Sequence, residues 1–246
     1  MKILLFFFLI HISFLIHGQE IVKLVFVGDH GITEKEKEAK YIIAIKNYGD
    51  TLFERLEYNY AGPLIRLINY KDTLMTIKEG RYCEYSPNGI ISTLGYYHDN
   101  LKHGKWTIYD KNRKAKFQYE YANNKVLNII DLDSLQKASK KEKSNKFEIE
   151  TSYKGDQSEF SDKIQSKIEE LINHGIIKIG GDMLIRFTIN PKGQITDFLL
   201  AKSIQISIDE IILEVMRSLH SEWMPASING ITVNAYREQP ISVSFK

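Results

Sequence analysis

The sequence predicts an α+β protein: an N-terminal antiparallel β-hairpin repeat domain, then a small domain with two helices packed on a three- to four-stranded antiparallel sheet. Three observations carry this. Residues 21 to about 127 read as short β-rich runs broken by polar turns. The same half contains an internal repeat. Beyond a lysine-rich stretch, helical spacing and strand alternation follow one another in a compact order.

The 246 residues are 43% hydrophobic and 26% charged, ordinary for a globular chain, and divide into segments 1–18, 19–130, 131–157 and 158–246. A formal net charge of +2 is too small to imply a nucleic-acid partner. Cys83 is the only cysteine, so no intrachain disulfide forms; it reads as a small buried hydrophobe or, alternatively, a reactive thiol.

Met1-Lys2, the apolar run Ile3 to Ile16 and the junction His17-Gly18-Gln19 describe a secretory signal peptide cleaved after Gly18. The run is shorter than the about 20 apolar residues of a spanning helix. The chain is therefore expected in the periplasm, with a membrane contact only if the segment is retained as an anchor. Ser13 and His17, four apart, would share one face of such a helix.

Lys40–Ile45 and Leu52–Tyr58 are the first clear strands. Tyr58-Asn-Tyr-Ala-Gly62, Tyr85-Ser-Pro-Asn-Gly89 and Tyr109-Asp-Lys-Asn-Arg113 then align, each placing a turn after a tyrosine. A second aromatic follows each (Tyr70, Tyr97, Tyr121), and Gly80 and Gly104 precede two of the units. This is a chain of hairpins whose aromatics stack on one face of the pleat. Arg113 stands where glycine is expected. The pattern over about residues 55–125 resembles MORN-type repeats, as in the YwqK-like antitoxin repeat family. That resemblance implies a stacked β surface, open to a binding role or to plain spacing.

From Asp131 to about Gln157 the chain loses apolar content and reads as a hydrated linker; its lysines could also meet anionic lipid. Phe160, Ile164, Ile168 and Leu171 mark the first helix, with Ser158 or Ser161 as cap. Ile185, Phe187 and Ile189 alternate as a strand, Pro191-Lys-Gly193 turns, and Ile195–Leu200 returns. Ser207-Ile-Asp-Glu210 reads as a capping box, with Asp209 and Glu210 at the positive end of the helix dipole. Ile208, Ile211, Ile212, Val215, Met216 and Leu219 make its core stripe. After Trp223-Met-Pro225 and an Asn229-Gly230 turn, Thr232–Tyr236 and Ile241–Phe245 are expected as separate closing strands, with Pro240 at an edge or bulge.

The Phe187–Gly193 strand and turn, Lys202-Ser203, the helix from Ile208, Trp223-x-Pro225, Asn229-Gly230 and Pro240-Ile-x-Val-x-Phe245 together resemble the TonB C-terminal domain, over about residues 160–246. The resemblance implies an exposed strand that pairs with a segment of an outer-membrane TonB-dependent receptor. Carried over, the pairing region lies within Val233–Phe245, with Val233, Ala235, Tyr236, Arg237, Gln239 and Ile241 as partner-binding positions. Edge protection by charge and proline is the alternative reading of the same residues. An unpaired edge also invites homodimerisation. A TonB's Pro-rich spacer has no counterpart among the five prolines here. An interaction or scaffold protein without energy transduction is thus the second reading.

No cofactor, metal or catalytic set is expected. His98 and His103 lie around a hairpin and could in principle hold a metal, but are expected to be exposed turn histidines without a third ligand, and Glu169-Glu170 and Asp29-His30 read as surface groups. Nothing matches a phosphate loop, a zincin or a nucleophile elbow.

Overall fold

The computed structural model describes residues 21–49, 51–134, 148–149, 152–153, 157–177, 179–219 and 223–244. The segment 1–18 with Ser13 and His17, most of the lysine-rich stretch, and Phe245 lie outside the described residues.

The architecture is mixed α and β with few helices and one large antiparallel sheet. The sheet holds ten strands: β1 (Ile21–Gly28), β2 (Gly31–Thr33), β3 (Tyr41–Asn47), β4 (Phe53–Asn59), β5 (Leu64–Tyr70), β6 (Lys78–Tyr85), β7 (Ile91–His98), β8 (Leu101–Tyr109), β9 (Ala115–Ala122) and β10 (Lys125–Asp131). From β3 to β10, chain neighbours are sheet neighbours throughout, as expected for hairpins too short to bury a face alone.

The repeat is visible in the backbone. Each hairpin has a register shift just before its tyrosine, at Glu57/Tyr58, Glu84/Tyr85 and Ile108/Tyr109. The turns close alike, by Asn59 N–H to Pro63 O, Ser86 N–H to Ile90 O and Asp110 N–H to Lys114 O. Gly89 sits at φ +72°, and Arg113, its counterpart, adopts +64°. On one face Tyr82, Tyr97, Trp106 and Tyr121 form a ring ladder with centroids 5.2–5.9 Å apart. Gly95 leaves room for Trp106, since a Cβ there would lie 2.2 Å from the indole.

The other face carries Leu56, Tyr58, Leu67, Cys83, Tyr85 and Ile91, and these join a core shared with the C-terminal unit. That unit contains α1 (Gln157–Asn173), β13 (Gly181–Ile189), β14 (Ile195–Lys202), α2 (Ile206–Ser218) and β18 (Ala235–Val243), with sheet order β14-β13-β18. Phe160, Ile164 and Ile168 of α1 and Ile208, Ile212 and Met216 of α2 are buried in the same core. Phe160, Phe187 and Trp223 meet ring to ring, Phe160–Trp223 at 5.0 Å and Phe187–Trp223 at 5.5 Å. Short strands β11 (Glu148–Ile149), β12 (Ser152–Tyr153), β15 (Trp223–Met224), β16 (Ala226–Ile228) and β17 (Ile231–Val233) form two small sheets, β11-β16-β17 and β12-β15. The segment read as linker thus contributes two paired strands.

Several local expectations change. The closing region is a single strand, β18, running through Pro240; an edge strand tolerates proline because one side of its backbone has no ladder to lose. Val233 belongs to β17, a strand of a different sheet. The α2 N-cap is Gln205 and not Ser207, because the helix begins two residues early, at Ile206. Asp209 instead reaches back and accepts from the Ile204 amide at 3.0 Å. Ser158 and Ser161 lie inside α1, which starts at Gln157.

Candidate functional site

The three-stranded sheet has two edges of different fate. At the β14 edge, Lys202 bridges Ile90, next to the tip of the β6–β7 hairpin, and the Ser203 amide donates to Gly89 O at 3.0 Å. A Cβ on Gly89 would lie 2.4 Å from the Ser203 carbonyl, so this glycine is required by contact as well as by φ. Arg81 donates to Phe198 O at 2.9 Å and pairs with Asp197, clamping β14 further. The β18 edge has no strand partner among the described residues beyond β13.

The backbone of β18 follows a fixed alternation. Its ladder with β13 runs unbroken from Ala235↔Ile189 to Val243↔Gly181. Pro240 lacks an N–H, so Leu184↔Pro240 is the pair without mutual hydrogen bonds. Alternation then turns the main-chain groups of Tyr236, Glu238 and Ser242 outward. Pro240 is a gap in that row, and its carbonyl accepts from the Gln239 side chain at 3.0 Å.

The positions expected to meet a partner divide accordingly. Ala235, Tyr236, Arg237, Gln239 and Ile241 share β18. Tyr236 is 73% exposed, whereas Gln239 and Ile241 are buried and Gln239 also donates to Ser161 on α1 at 3.3 Å. Arg237 lies over the Trp223 ring, 6.0 Å from its centroid. Val233 is brought to β17 and not to this edge. What β18 offers a partner is therefore main chain plus the outward row Tyr236, Glu238 and Ser242. Arg186 of β13 braces that row by donating to Glu238 at 3.0 Å and to Tyr109 of the repeat sheet at 3.3 Å.

A second constellation sits where α2 meets the large sheet. Ser203 Oγ donates to Asp209 and accepts from the Leu64 amide at 2.9 Å. Asp209 is fully buried, and burial pushes its carboxyl up to about 7 against the opposing pull of Ser203, Ile204 and Tyr58. The same burial pushes the Tyr58 and Tyr85 phenols well above their usual range. One residue on, Glu210 pairs with the buried Lys46 ammonium at 2.6 Å. Asp209 and Glu210, expected as helix-dipole and capping-box residues, instead form this joint. The available signal was spacing: Asp209 stands 3, 4 and 7 residues before Ile212, Leu213 and Met216, inside the buried stripe.

Glu79, His98 and Asp99 bring potential ligand atoms within 4.8 Å of one another at the surface. His98 Nδ1 shares a hydrogen bond with Glu79 at 2.9 Å, and Lys71 pairs with Asp99. The cluster is an ion-pair network that ties the β7–β8 turn to β6. Cys83 is buried and its thiol is pushed up to about 12 by burial, the signature of a small core residue. Among the described residues no helix is long and apolar enough to cross a membrane.

No protein-family model matches this chain, and no curated protein or solved structure compared with it matches either.

Proposed function

We propose that this chain is an exported, TonB-like binding protein of the periplasm, and that it takes an extended segment of an outer-membrane TonB-dependent receptor onto the β18 edge. The observation that carries the reading is the asymmetry of the three-stranded sheet: β14 is closed by the repeat sheet, while β18 has β13 as its only strand partner among the described residues. Two helices packed on this sheet, in the order the sequence resemblance implies, support it further. Affinity comes from main-chain hydrogen bonds along β18, and selectivity from the alternate side chains Tyr236 and Glu238. The chemistry is recognition; no cofactor and no catalysis are involved.

The test titrates the whole chain with peptides from the periplasmic N-termini of receptors in its own organism. The expected result is binding with slowed amide exchange confined to β13 and β18. Absence of binding to every such peptide removes the proposal.

A second reading, an interaction scaffold without energy transduction, is favoured by one observation. The repeat sheet packs directly on the C-terminal unit, and no Pro-rich spacer stands between them. Mass spectrometry of the mature N-terminus separates the two. A chain starting at Gln19 supports the scaffold, and retention of Met1 or Lys2 supports a transducer.

A further inference from the structure

The β7–β8 turn gathers two imidazoles and a carboxylate from neighbouring positions. His103 of β8 stands opposite Tyr96, two residues before His98, so strand alternation puts both histidines on one face of the pleat. Their ring centroids are 6.0 Å apart. Two imidazoles on one tetrahedral ion have centres about 5 Å apart, given metal–nitrogen bonds of about 2.0 Å, so small side-chain rotations suffice. Asp99 follows His98 directly at the turn, and both histidines are exposed to solvent. The His103 ring makes no hydrogen bond or ion pair among the described residues.

Glu79 of β6 sets the orientation of this group. One carboxylate oxygen meets His98 Nδ1 at 2.9 Å, and the other accepts from the Asp99 amide at 2.9 Å. With Nδ1 committed to Glu79, His98 presents Nε2, and Asp99 Oδ2 stands 3.8 Å from it. That gap is too wide for a hydrogen bond, yet two ligands of one ion span about 3.3–4 Å when each bond is about 2.0 Å. Lys71 holds the other Asp99 oxygen, Oδ1, and leaves Oδ2 on the side of His98. A carboxylate receiving the second ring N–H of a ligating histidine is the outer partner that metal-bound imidazoles recurrently have. The backbone beneath is braced too. Asp99 and Asn100 sit at φ +49° and +67°, and Asn100 is bonded to the Lys78 main chain at 3.0 and 2.8 Å. The donors therefore stand on a fixed turn.

We propose that His98, His103 and Asp99 bind a divalent transition-metal ion of the zinc class. Glu79 orients His98 from outside the coordination sphere, and the fourth position is left to water. Two imidazoles and one carboxylate favour zinc, nickel or copper(II) over calcium and magnesium, which take oxygen ligands. The site lies at the opposite end of β7 from Gly89, where the repeat sheet meets β14.

The experiment is calorimetric titration of the chelator-treated whole chain with Zn²⁺, and with Mg²⁺ for comparison, beside His103→Ala, Glu79→Gln and His174→Ala variants. The expected result is one tight Zn²⁺ site that Mg²⁺ does not fill. His103→Ala and Glu79→Gln should each weaken it at least about tenfold, and His174→Ala should leave it unchanged. His103 is exposed, so circular dichroism of its variant should match the parent. In NMR spectra the ring signals of His98 and His103 should shift together as Zn²⁺ is added, while those of His30 and His174 stay in place. No zinc binding, zinc binding indifferent to His103→Ala or to Glu79→Gln, or ring shifts that spare either His98 or His103 would each overturn the proposal.

Discussion

The Ser203 hydroxyl is bonded to the Asp209 carboxylate at the seam between the repeat sheet and α2, and the Leu64 amide of the sheet donates to that same hydroxyl. Ser203, 139 residues from Leu64 in the chain, therefore couples a hairpin of the repeat to the first turn of α2.

This seam has a pH signature. Burial raises Asp209 from 3.8 to about 7, so the folded state holds its proton more tightly than the unfolded chain. The group's contribution is fully present below the unfolded value and is lost as pH rises through the folded one. Stability should therefore fall between about pH 4 and 7, by at most about 4 kcal/mol from this group. Urea titrations across that window, compared with Asp209→Asn, should show the slope in the parent and a flatter profile in the variant.

Lys46 and Glu210 make a second bond across the seam, and it is a charged one with the lysine buried. Lys46→Met leaves Glu210 without its ammonium and is expected to cost about 3 kcal/mol. The double variant Lys46→Met/Glu210→Leu should be appreciably more stable than the single, since no charge is then stranded. Chemical denaturation of the double-mutant cycle checks both statements.

Arg113 occupies a left-handed backbone conformation that the equivalent Gly89 adopts without penalty. Arg113→Gly should stabilise the protein by about 1 kcal/mol. The turn is exposed, so the shift should appear in the melting temperature with no change in spectrum.

At the β18 edge the outward main-chain row makes a backbone prediction distinct from a side-chain one. Tyr236→Ala should change affinity for a receptor peptide only a few-fold. Tyr236→Pro removes an outward N–H without touching the β13 ladder, and should weaken binding about tenfold or more while the fold persists. Calorimetric titration of both variants tests this; equal effects would show that the ring, and not the strand, is what a partner grips.

Much of the fold was legible because short-range chemistry dictates it. Asn88-Gly89 and Asp110–Arg113 turn the chain wherever they sit, and the tyrosines before them reveal the hairpin period. The continuation of β18 through Pro240 was not legible, because whether proline ends a strand depends on which side of it is paired. The shared core was hidden for a similar reason. Leu56 and Tyr58 look like one face of any sheet, and only the packed structure shows them sharing one buried core with the apolar side chains of α2. At the candidate site, Tyr236 was readable as an edge residue. The burial of Gln239 and Ile241 was not, since β alternation alone does not say which parity faces the core.

Tyr58, Tyr85 and Tyr109 occupy one position of the repeat and meet three different fates. Tyr58 is wholly enclosed near Asp209, Tyr85 is nearly so, and Tyr109 lies under the Arg186 guanidinium. The row works as a ruler laid along the sheet, and it measures the footprint of the C-terminal unit as three hairpins wide. A repeat array cut free of that unit would expose the entire row, so the hairpins serve as a floor under the C-terminal unit and not as a detachable appendage.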